Sequence, residues 1–183
     1  MKLKTRELVL CALFTALVAI GAFLKIPIPP ISFTLQFLFT NLAALLLGKK
    51  LGAVSIGVYV IIGLSGAPIF TQGGGISYIF QPSFGYLLGF IAGAYLAGFI
   101  VEKARQKSIL LYCFAGFMNM IVVFATGVVY LFCIKNFYLD SSMSAWSALL
   151  YGALIFLPGD VLCAILSAFI AKRLIPIFKR ENK

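Results

Sequence analysis

The sequence predicts an all-α integral membrane protein: six transmembrane helices in one bundle, with an outer Gly-rich cap loop between helices 3 and 4. Three observations carry this. Of 183 residues 62% are apolar and only 11% charged, too few polar groups to coat a water-soluble fold of this size. Uncharged stretches run over 8–24, 26–48, 51–101, 108–134 and 141–159, several longer than the roughly 20 residues that cross a hydrocarbon core; a lone chain in lipid satisfies its backbone in helices. The basic residues sit at the ends of these runs and not in a patch with interleaved aromatics, so the net charge of +10 is topological and no nucleic-acid partner is expected. The length suits a single domain over 1–183.

Six spans are expected at about 5–24, 31–47, 51–64, 83–101, 108–134 and 145–175. The first follows three basic residues and shows no small-x-small cleavage site before "KIPIPP", so it reads as a retained helix and not a signal peptide. The second is short, about 26 Å at 1.5 Å per residue, and the prolines of "IPIPP" can begin a helix but not continue one. A re-entrant segment is the alternative, but it would move Lys49 and Lys50 to the outer side. An even number of spans with both termini cytoplasmic instead leaves only Lys25 and Lys135 outside, out of 15 basic residues, which satisfies the positive-inside rule. The third span runs into "GLSGAPIFTQGGGISYIFQPSFGY", residues 63–86, with six glycines, two prolines and no charge. Irregular backbone at that depth is tolerated only under protein or around a cavity, hence the expected cap. No internal repeat is visible.

Asp160 is the one acid expected inside the membrane, since Glu7, Glu102, Asp140 and Glu181 fall at helix ends or in tails. It precedes Lys172 by 12 residues, about 18 Å along a helix and close to mid-core. A carboxylate there costs about 3 kcal/mol on insertion scales and marks a site or pathway, unless it is a structural contact with another helix. Pro158, read as a mid-helix proline, frees the carbonyl of Leu154, so two acceptors await a ligand rich in N–H donors. Thr34, Gln36 and Asn41 in "ISFTLQFLFTN" form a second polar set, with Asn119 a lone amide in the fifth span; helix-helix hydrogen bonding explains them equally well. In the cap, Gly73, Gly74 and Gly75 permit close backbone approach, and Tyr78, Phe84 and Tyr86 offer rings to a flat ligand, as would an interfacial aromatic belt. Ala12 and Ala16 in "CALFTAL" have the small-x-x-x-small spacing of close helix approach.

Cys11, Cys113, Cys133 and Cys163 are isolated and histidine is absent, so they read as reduced packing residues, with no metal or cofactor. No GxxxxGK[ST] loop is present, so the chain does not use ATP itself. Groupings for intramembrane hydrolysis are missing as well, and an enzyme is not expected.

Together "IPIPPISFTLQ", "GAPIFTQGGGISYIFQPSFGYLLGF" and "LPGDVLCAILSAFIA" resemble the BioY family, the biotin-binding S component of energy-coupling-factor (ECF) transporters, over about residues 5–176. The resemblance implies a plasma-membrane subunit that captures biotin from outside and docks through Ala12 and Ala16 onto a transmembrane coupling subunit driven by two ATPase subunits. It implies that Asp160 accepts from a ureido N–H while Asn41 or Gln36 donates to the ureido carbonyl. The family often has a lysine three residues after the aspartate, where this chain has Cys163. That leaves Asp160 without a cation and the biotin carboxylate with only Lys25 or Lys135 on the outer rim. Another vitamin, thiamine or riboflavin, and a membrane scaffold role are the competing readings.

Overall fold

The structure is a computed structural model that describes residues 4–139 and 141–180, without the side chains of 177–180; Asp140 and Glu181, expected in a helix end or tail, lie outside the described residues. Helix α1 spans Thr5–Phe23 and is followed by a two-stranded ribbon of β1 (Lys25–Ile26) and β2 (Phe33–Thr34). The strands pair antiparallel, Lys25 opposite Thr34 and Ile26 opposite Phe33. Then come α2 (Gln36–Leu64), a 3-10 helix (Ile76–Phe80), α3 (Phe84–Lys103) and α4 (Ile109–Phe137). The last span is composite: α5 (Ala145–Leu149), a π segment (Leu150–Leu154) and α6 (Leu157–Arg180).

Five helices among the described residues are long and apolar enough to cross a membrane, and this corrects the expectation of six spans. The expected second and third spans form one element, α2, which turns at Gly48 with φ of 80° and ψ of −178°, a conformation open in practice only to glycine. The two arms lie against each other. Gly52 sits on the backbone of Ala43 and Ala44, where a Cβ would lie 3.0 Å away, and Gln36 reaches Tyr59 across the hairpin at 2.8 Å. Arms over 36–47 and 49–64 measure about 18 and about 24 Å, each short of the roughly 30 Å core. The Lys49–Lys50 pair marks a turn inside one element and not a loop between two spans.

The expected outer Gly-rich cap loop is corrected too. Residues 65–83 are drawn onto the bundle as structured chain: Gly75 N donates to Gly63 O at 2.7 Å, Phe70 bridges Gly73, and the 3-10 helix follows. Phe70 and Tyr78 are buried, their rings 4.5 Å apart. Aromatic burial organises the segment together with its glycines, since Gly66, Gly73 and Gly75 all have positive φ.

Helix α3 packs between the α2 hairpin and α4, while α6 covers α2 and α4. Lys4, Arg6, Gly48, Glu102, Lys107 and Ile175 line one cavity, so the start of α1, the turn of α2 and the end of α6 share one end of the bundle. The ribbon, the 3-10 helix and the π segment occupy the other.

Candidate functional site

A cavity at the ribbon end is lined by Phe33, Thr34, Gln36, Tyr78, Tyr86 and Asp160, among others. Its floor is set by how the last span is built. Ile155 N donates to Leu150 O at 3.2 Å and Phe156 N to Ala153 O at 3.0 Å, a π turn followed by a tight one, after which α6 starts afresh at Leu157. Pro158 therefore stands in a first turn, where a missing N–H leaves nothing unpaired, and not mid-helix as expected. Asp160 lies in the same first turn, where the helix dipole favours a carboxylate. It is only 7% exposed, lines the cavity, and its carboxylate has no hydrogen-bond or ion-pair partner among the described residues.

The carbonyl that the irregular turn makes available is that of Gly152. It accepts from the Tyr86 hydroxyl at 2.6 Å. Gly159 serves the same wall by close approach: a Cβ there would lie 2.6 Å from the Phe33 ring. Phe33 in turn stacks on Phe156, with centroids 6.4 Å apart and planes 20° apart. The "LPGD" sequence thus joins three effects in four residues, namely a helix restart, a seat for an aromatic ring and an acid.

Besides Asp160 the lining carries a set of hydrogen-bonded polar side chains. Gln36 Nε2 donates to Tyr59 at 2.8 Å, and Thr34 Oγ1 donates to Gln36 Oε1 at 3.3 Å. Tyr78 shares hydrogen bonds with Thr71 Oγ1 at 2.7 Å and Ser83 Oγ at 3.0 Å, and both partners line the cavity. Of the expected ligand residues, the cavity therefore brings together Asp160, Gln36, Thr34, Tyr78 and Tyr86.

The others stand elsewhere. Asn41 and Asn119, each fully buried, form a cluster in the bundle core, where Asn41 Nδ2 donates to Ser167 Oγ at 2.6 Å and Asn119 Nδ2 to Asn41 Oδ1 at 3.2 Å. Phe84 packs on Tyr130, centroids 5.8 Å apart. Gly73, Gly74 and Gly75 shape the turn that carries Thr71 and Tyr78 but are not in the lining. Ala12 and Ala16 both face outward from α1. Sequence reasoning missed Phe33, Thr71, Ser83 and Phe156, which only tertiary approach assembles; the one available signal was Gly159, a small residue beside the buried acid.

The BioY family profile matches residues 1–180. The chain belongs to the BioY family. Among similar BioY proteins, the "Probable biotin transporter BioY" of Lysinibacillus sphaericus is 42% identical over 96% of this chain and 89% of its own length. The "Biotin transporter BioY" of Thermotoga maritima is 37% identical, covering 92% of this chain and 95% of that one. A crystal structure of the S-component for biotin from an ECF-type ABC transporter superposes with a TM-score of 0.71 at 28% identity, covering 94% of each chain.

Proposed function

We propose that this chain is the membrane subunit that captures biotin for an ECF-type importer, and that the ribbon-end cavity is where it does so. The observation that carries the assignment is Asp160, a buried carboxylate opening onto an aromatic-walled cavity with no hydrogen-bond or ion-pair partner among the described residues. A ureido ring supplies two N–H donors and one carbonyl. Asp160 accepts from an N–H, while the Gln36 amide, with a donor to spare beyond its bond to Tyr59, serves the carbonyl. Tyr86, Tyr78 and Phe33 wall the apolar bicycle.

The protein is a transport component and not an enzyme. The exposed Ala12 and Ala16 support docking of α1 on a transmembrane coupling subunit worked by two ATPase subunits. Because α2 doubles back at Gly48, the start of α1 and Ile175 of α6 share the end that carries Lys4, Arg6, Lys49 and Lys107; the positive-inside rule assigns that end to the cytoplasm, with the cavity facing out. Calorimetry of the detergent-purified chain tests the ligand: biotin is expected to bind at submicromolar concentration, undisturbed by excess thiamine or riboflavin. No heat at micromolar biotin, or displacement by either vitamin, would overturn the assignment.

A further inference from the structure

Lys25 stands opposite Thr34 in the ribbon, and its ammonium donates to the carbonyl of Thr71. Thr34 and Thr71 both line the cavity that holds Asp160, so this cation ties two separate stretches of chain together at the cavity rim. Its partner is a neutral carbonyl. Among the described residues the remaining carboxylates are engaged at the far end of the bundle, Glu7 by the backbone of Lys4 and Glu102 by Lys49. Neither Lys25 nor Lys135, the other cation expected on the outer side, is itself in the lining, but Lys25 is joined to the lining residues Thr34 and Thr71.

An ammonium bound to a neutral carbonyl gains the attraction of an opposite charge when a carboxylate replaces it. An acid in the lining and a base bonded to a lining residue match a ligand with N–H donors at one end and an acid at the other. We propose that Lys25 is the specificity residue for the acid end of the ligand, its ammonium passing from the Thr71 carbonyl to the ligand carboxylate when the cavity fills. This rests on the reading of the cavity as the biotin site. Cys163 stands one turn beyond Asp160 and offers no cation, so recognition of the acid falls to the rim.

The test measures binding of biotin and of its neutral carboxamide to the parent, Lys25→Met, Lys25→Arg and Asp160→Leu proteins. The parent is expected to prefer the acid by about tenfold or more; Lys25→Met is expected to bring the ratio within about twofold, and Lys25→Arg to restore most of it. An unchanged ratio in Lys25→Met, equal weakening of both ligands, or no preference in the parent would overturn the proposal; equal weakening would leave Lys25 as a tie to Thr71 alone. Asp160→Leu separates the two claims: it is expected to weaken both ligands alike, and parental affinity for both would remove the cavity assignment whatever Lys25 does.

Discussion

The Tyr86 hydroxyl donates to the carbonyl of Gly152 at 2.6 Å, fastening α3 to the π segment that introduces Asp160. Gly152 also makes room for this contact, since a Cβ there would lie 2.8 Å from the hydroxyl. The bond uses a carbonyl that the irregular turn bypasses, and so converts a backbone defect into a wall of the cavity.

Tyr86→Phe keeps the ring and removes the donor. A buried carbonyl left unpaired costs about 1–3 kcal/mol, so the variant is expected to melt several degrees lower in detergent and to bind biotin more weakly. An unchanged melting temperature would show that the bond does not hold the segment.

Gly159→Ala places a methyl group 2.6 Å from the Phe33 ring. The ring has to leave its seat, and with it the stack on Phe156. Affinity for biotin is expected to fall about tenfold although the methyl group itself is directed at Phe33, and titration calorimetry reads the loss.

Gly48→Ala tests the hairpin. A side chain at φ of 80° and ψ of −178° costs about 1–3 kcal/mol, and the nearest group it meets, the Glu102 carboxylate, has to leave its hydrogen bond from Lys49 N. Lower thermal stability with normal biotin affinity in the folded fraction is the expected result.

Ser167→Ala removes the acceptor of Asn41 Nδ2 and strands a buried amide, at about 1–3 kcal/mol. Because this cluster lies outside the cavity lining, the melting temperature is expected to drop while biotin affinity stays within about threefold of the parent. A large affinity loss at parental stability would place Asn41 at the ligand instead.

The membrane character and the burial of Asp160 were legible because each is a matter of composition: long uncharged runs, and one acid within them. The hairpin was not, since a positive φ at Gly48 leaves no trace in hydropathy and the adjacent lysines mimic a loop. Gln36 and Asn41 were read as one polar set, yet five helical steps of about 100° turn them roughly 140° apart, and the structure sends one to the cavity and the other to Ser167. Pro158 was visible, but whether a proline bends a helix or begins one depends on the turn before it. Phe33 and Ser83 carry no local signal, because the cavity wall is made by segments that meet only in three dimensions.

Whether Asp160 anchors the ligand is read by the biotin affinity of Asp160→Leu beside the parent, with the melting temperature of each. Removing a buried charge is expected to leave insertion and stability equal or improved, while binding weakens by at least about 2 kcal/mol, roughly 30-fold. Affinity within twofold of the parent in a stable Asp160→Leu protein would contradict that anchoring role.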